Sequence, residues 1–140
     1  MSRQESPIRQ QPEASGRPAA LPDWHSRFVH GVFGEVVGSH PEAIAVALED
    51  DVLSYGELDR RASALAARLR RQGVGPEVLV GLATERSLEM VIGVLAVLKA
   101  GGAYVPLDTS YPPERLRFMI EECGAPVILT QAHVAPRLPP

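Results

Sequence analysis

Cysteine is all but missing from this chain of 140 residues: Cys123 stands alone. A single cysteine excludes an intrachain disulfide and any metal site built from several thiolates, and it suits a reducing compartment. Lysine is as scarce, with Lys99 against thirteen arginines. Together with the many alanines, that bias points to a GC-rich bacterial genome rather than to an activity. There is no excess of positive charge. The net charge is −3, which argues against bulk electrostatic binding to nucleic acid or an anionic membrane. Long apolar runs are missing too. The longest, Met90 to Leu98, falls far short of the roughly 20 residues that span a bilayer. No apolar stretch follows the first charges at the N-terminus, so no secretory signal is read there. The expected location is cytoplasmic.

What is present divides the chain into three. Residues 1–23 are rich in Pro, Gln, Ser, Arg and Ala. They hold too few large apolar side chains to offset the entropy of ordering, so a disordered leader or linker is expected. Residues 132–140 contain Pro136, Pro139 and Pro140 and are expected as a loose tail. The folded part is then 24–131, without internal repeats.

Within it, strand and helix patterns alternate. Trp24 to Val37 carries Val29, Phe33 and Val36 at helical spacing, weakened by Gly31 and Gly34. Ala43 to Leu48 sets Ile44, Val46 and Leu48 against alanines, the period of a strand. Asp50 and Asp51 form a turn into Val52 and Leu53, so the spacing predicts a hairpin. Ser54 and Glu57 have the spacing of a capping box, each side chain satisfying the other's backbone N–H. The helix they open runs to about Gln72, with Leu58, Ala62, Leu65 and Leu69 on one face and Gly73 as its stop. Val78 to Leu82 reads as an apolar strand. Leu88 to Leu98 is a helix apolar almost all round. Its eight large side chains carry a gross driving force of about 12–24 kcal/mol if fully buried, more than a few strands are expected to cover. Pro113 to Glu122 is an amphipathic helix with Leu116, Met119, Ile120 and Cys123 as its stripe, and Val127 to Leu129 is the last strand. This order predicts an α/β fold whose largely parallel sheet is joined by helical crossovers and preceded by a β-hairpin.

The run LKAGGAYVPLD at 98–108 joins that apolar helix to a short strand. Gly101 can take the left-handed conformation that closes a helix, Gly102 lets the chain turn back close to itself, and Pro106 removes a donor and ends the strand. These eleven residues resemble the second core motif of the adenylation domains of nonribosomal peptide synthetases. Leu53-Ser54-Tyr55-Gly56-Glu57-Leu58 resembles the first. The phrases at 68–76, 85–90 and 111–116 are typical of the same family, so the resemblance runs in order from about 28 to 131. Thr109, where proline is usual, and Ser63, where asparagine is frequent, depart from it.

The resemblance implies the first part of the large N-terminal subdomain of an adenylate-forming enzyme. It implies ATP, Mg²⁺ and a carrier-bound phosphopantetheine for the complete enzyme. The implied partners are the remainder of the adenylation domain, a carrier domain and an amino acid or related acid, with no nucleic acid and no membrane. It also implies that the phosphate loop, acid pocket and C-terminal lysine lie after residue 140. No catalytic, cofactor-binding or metal residue is therefore assigned here, and the chain alone is expected to be inactive. Met1 followed directly by linker and adenylation-like text suggests an initiating module or a stand-alone activating protein. Two other readings stand beside it: a related acyl- or aryl-activating ligase, and a truncated or interaction module without catalysis.

Several residues invite sharper roles. Gly73-Val74-Gly75 and Gly101-Gly102 could cradle phosphate, but neither follows a strand and opens a helix, so both read as turns. Lys99 at a helix C-terminus suits the macrodipole. Arg60, Arg61, Arg68, Arg70 and Arg71 read as a solvated face, or else as a docking surface. His25, His30, His40 and His133 lack ligand spacing. Cys123 continues an apolar stripe. Asp108 follows a strand end, where open α/β sheets place ligands, yet loop capping explains it as well.

Overall fold

A computed structural model describes residues 28–139. The expected leader, Trp24 and His25 lie outside the described residues. The elements are α1 (Val29–Ser39), β1 (Ile44–Leu48), β2 (Asp51–Ser54), α2 (Tyr55–Arg71), β3 (Leu79–Ala83), α3 (Leu88–Ala100), β4 (Ala103–Pro106), α4 (Pro113–Cys123) and β5 (Val127–Thr130), followed by a 3₁₀ turn at Ala135–Arg137. β1 and β2 form an antiparallel hairpin. β4, β3 and β5 form a parallel sheet in that order, with β3 in the centre. The α/β class, the parallel sheet and the hairpin are as the sequence predicts.

The alternation of side chains along β3 sets the layers. Val80 is buried among Ala66, Leu69, Ala96, Val97 and Ala100, the side of α2 and α3. Ala83 meets Leu107 and Leu116, the side of α4. Gly81 is small for a reason: a Cβ there would stand 3.0 Å from Leu107 Cδ1 and 3.3 Å from Ile128 Cγ1. A third cluster joins Leu53, Leu58, Ala62, Ile92 and Leu95, and Phe33 of α1 packs against it.

Three expectations are corrected, and one about α3 holds. The hairpin turn is Glu49–Asp50, and Asp51 belongs to β2, opposite Leu48. An irregularity between Ile44 and Val46 turns Ile44 outward, so it is 65% exposed although the alternation put it inside; a bulge breaks the period of two. α3 is covered only in part, as expected: of its eight large apolar side chains Ile92, Leu95 and Val97 are buried, and Leu88, Met90, Val91, Val94 and Leu98 are half-buried. The buried face, which includes Ala96 and Ala100, forms because the alanines of α2 allow close approach on one side and the sheet closes another. The tail is not loose over its described length. Val134 is fully buried and Leu138 packs on the cluster around Leu116, so one apolar side chain fastens a proline-rich stretch that the composition leaves without a core contact.

Candidate functional site

In an open parallel sheet the carboxyl ends of the strands are where ligands bind. Here that edge comprises Thr84-Glu85-Arg86-Ser87 after β3, Leu107-Asp108-Thr109 after β4 and Gln131-Ala132-His133 after β5. A cleft of about 540 Å³ opens on it, floored by Leu82, Met90 and Leu107 and edged by Thr84, Arg86 and Asp108.

Several polar groups of this edge bind one another. The backbone N–H of Glu85 donates to Gln131 Oε1 at 2.9 Å, and Gln131 Nε2 donates to Ser87 Oγ at 3.2 Å. That hydroxyl also accepts from the backbone N–H of Met90 at 3.2 Å, which makes Ser87 the N-cap of α3, and it donates to the carbonyl of Glu85 at 3.1 Å. The Glu85 carboxylate meets His133 Nε2 at 3.2 Å and accepts from Arg137 at 2.9 Å. Hydrogen bonds from His133 and then Arg137 hold its carboxyl below the usual glutamate range. Asp108 accepts from the Ser110 hydroxyl at 2.7 Å and from its backbone N–H at 2.9 Å, which likewise holds it low. This is loop capping.

Little of this set is legible in the sequence alone. Glu85 and Ser87 stand out there only as part of a family phrase, and His133 only as a scattered histidine. One signal is available: a serine three residues before Met90, at the head of an apolar helix, is an N-cap signature. The Gln131 and Arg137 contacts have none, since they join residues 44 to 52 positions apart in sequence.

The remaining candidates lie elsewhere. Gly73 and Gly101 have φ of 89° and 90° and end α2 and α3. They sit at the amino ends of the strands, where Gly101 approaches Gly75 and Pro76. Gly102 lies against Val74 Cγ1 and the carbonyl of Val78. Lys99 reaches Asp59 of α2 at 2.7 Å, an interhelical ion pair beyond any dipole effect, and Arg70 donates to the Lys99 carbonyl. The capping box at Ser54 is half formed. Ser54 Oγ accepts from the Glu57 N–H at 3.2 Å, but the Glu57 carboxylate turns to Arg60 and Arg61, which lower its pKa, Arg61 foremost. His30 stacks on Phe28. Cys123 is half-buried and its thiol lies 3.3 Å from the Ile120 carbonyl. Among the described residues, no three of His, Cys, Asp or Glu gather as metal ligands, and no helix is long and apolar enough to cross a membrane. At the carboxyl edge, hydrogen bonds and ion pairs join the loop after β3 to the segment after β5, and the loop after β4 is capped on itself. The Ser87 and Ser110 hydroxyls and the Glu85 and Asp108 carboxylates are engaged with neighbours, and His133 faces a carboxylate rather than a hydroxyl.

Comparison with known proteins places this arrangement. The family described as AMP-binding enzyme matches residues 33–139. A linear gramicidin synthase of Brevibacillus parabrevis is 50% identical over 119 residues, which is 85% of this chain and 2% of that protein. Among solved structures, the nonribosomal peptide synthetase FmoA3 bound to alpha-methyl-L-serine-AMP is 36% identical over 78% of this chain and 12% of its own, with a TM-score of 0.75. The Klebsiella oxytoca NpsA N-terminal subdomain with 3-hydroxybenzoyl-AMSN is 27% identical over 80% of this chain and 28% of its own, with a TM-score of 0.73. The chain thus spans a small part of the relatives it matches.

Proposed function

We propose, from the premise that this chain belongs to the AMP-binding enzyme family, that residues 24–131 are the opening part of an amino-acid-adenylating domain of a nonribosomal peptide synthetase. One observation carries the reading: half of the residues are shared with a linear gramicidin synthase across 85% of this chain. In the complete protein, an amino-acid carboxylate oxygen bonds to the α-phosphorus of ATP, pyrophosphate leaves, and the acyl group then passes to a carrier-domain thiol. The proposed partners are the remainder of the adenylation domain and that carrier, in the cytoplasm.

The residues of this chain do not fit ATP or Mg²⁺. Its glycine turns stand at the amino ends of the strands, and the carboxylates at the other edge are occupied by His133, Arg137 and Ser110. No step is therefore assigned to them, and the proposed role of the chain is support: a sheet edge whose loops are fixed. A related aryl- or acyl-activating ligase is the second reading. It is favoured by the likeness to NpsA, whose structure holds 3-hydroxybenzoyl-AMSN.

Acid-dependent ATP–pyrophosphate exchange tests both readings. The 140-residue chain is expected to give none, and the complete gene product is expected to exchange with an amino acid. Exchange by the isolated chain would mean that catalytic residues lie within it. Exchange by the complete product with aryl or fatty acids alone would favour the second reading.

A further inference from the structure

We propose that residues 132–138 are a hinged strap. It lifts from the β3–α3 corner as a preformed unit while the sheet stays folded, and Gln131, at its foot, is its clasp. The path of its backbone hydrogen bonds carries this. The Gln131 carbonyl accepts from the N–H groups of Val134 and Ala135, both at 2.9 Å. The Val134 carbonyl accepts from Arg137 at 2.8 Å, and the Ala135 carbonyl from Leu138 at 3.1 Å. Each of these closes within the strap or on its foot. Among the described residues, no backbone hydrogen bond joins 132–138 to another segment. The chain after β4 is held differently: the Leu107 N–H donates to the Leu82 carbonyl at 2.9 Å and continues the ladder onto β3.

Side chains alone therefore fasten the strap. Val134 is its one fully buried residue, and half-buried Leu138 packs on the cluster around Leu116. The Glu85 carboxylate holds His133 and Arg137, but all three are exposed, and such pairs contribute little. Lifting the strap exposes one valine and part of one leucine and leaves the three-stranded ladder whole, so it is a local opening rather than unfolding. The Gln131 amide must let go as the chain turns about the end of β5. It accepts from the Glu85 N–H and donates to Ser87 Oγ, the N-cap of α3. Opening thus frees the Ser87 hydroxyl of one partner and the Glu85 carboxylate of two, at the sheet edge where ligands bind. This device is independent of the reaction proposed above.

Thiol labelling tests it. Val134→Cys puts a reporter in the strap and Val80→Cys one in the central strand, both at fully buried positions. Labelling is read peptide by peptide by mass spectrometry, so that Cys123 is followed separately. The strap thiol is expected to react at least about tenfold faster than the strand thiol, with a shallower urea dependence because less surface is exposed. Adding Gln131→Ala should speed the strap thiol by about threefold or more, the loss of a side-chain clasp. Adding Gly102→Ala, which strains a turn that the open strap leaves intact, should speed the strand thiol alone. The same ranking is expected in the complete gene product. Equal rates and urea slopes at the two thiols, or equal acceleration of both by Gly102→Ala, would mean that the strap opens only with the whole fold and would overturn the proposal. A strap thiol indifferent to Gln131→Ala would remove Gln131 as the clasp. Val97→Cys, also fully buried, replaces Val80→Cys if that variant does not fold. If Val134→Cys does not fold, the urea dependence of tryptic cleavage after Arg137, set against cleavage after Lys99 in α3, makes the same comparison in the unaltered chain.

Discussion

Single residues at this fold's turns are held by space as much as by dihedral angle. Gly101 and Gly102 are adjacent, but for different reasons. Gly101 has φ of 90°, the left-handed conformation in which a Cβ crowds the backbone. Gly102 is set by contact: a Cβ would stand 2.8 Å from Val74 Cγ1 and 3.0 Å from the Val78 carbonyl. That carbonyl accepts from the Ala103 N–H at 3.0 Å, so it cannot retreat without loosening the entry to β4. Gly102→Ala is expected to destabilise the chain by about 1–3 kcal/mol, the cost of overpacking, read as a lower urea midpoint. An unchanged midpoint would show that the turn relaxes freely. Gly101 was legible in the sequence as a helix stop. The need for Gly102 was legible only as a close return, since its neighbours Val74 and Val78 are far from it along the chain.

At the scale of elements, the segment after β5 shows how a weak local pattern is overridden. Its prolines predict looseness, yet Gln131, His133 and Arg137 converge on the β3–α3 corner and Val134 is fully buried. Exposed ion pairs contribute little each, so the buried valine is the larger anchor. Val134→Ala removes two methyl groups from a closed site and is expected to cost about 1–3 kcal/mol. Val52→Ala, at a position 53% exposed, is expected to change stability by less than about 0.5 kcal/mol. Equal urea midpoints for the two variants would mean that the tail contributes nothing to the fold. The hairpin makes a similar point: alternation places β1 and β2, but the bulge that exposes Ile44 is written in no local signal.

For the molecule as a whole, the carboxylates set the acid limit. Glu57, Glu85 and Asp108 all have pKa values lowered in the folded state by hydrogen bonds from neighbours. Such groups add stability that is complete above their unfolded pKa and is lost as pH falls through the folded one. The urea midpoint is therefore expected to decline below about pH 4.5, the ordinary value for a glutamate, with a shallower decline in Glu85→Gln. A variant that keeps the full slope would show that Glu85 is not among the groups responsible. The slope should be modest, because all three groups face solvent and are screened. By itself the sequence determined the order of elements, the parallel sheet, the hairpin and the helix stops, because period, glycine and proline act within a few residues of themselves. It also carried the adenylation motifs that name the family. Only the tertiary structure decided which side of α3 is buried, that the tail is pinned, and that Glu85, Ser87, Gln131, His133 and Arg137 share one edge. Those outcomes depend on side chains brought together from distant parts of the chain, 44 to 52 positions apart at the shared edge, at separations that no local pattern records.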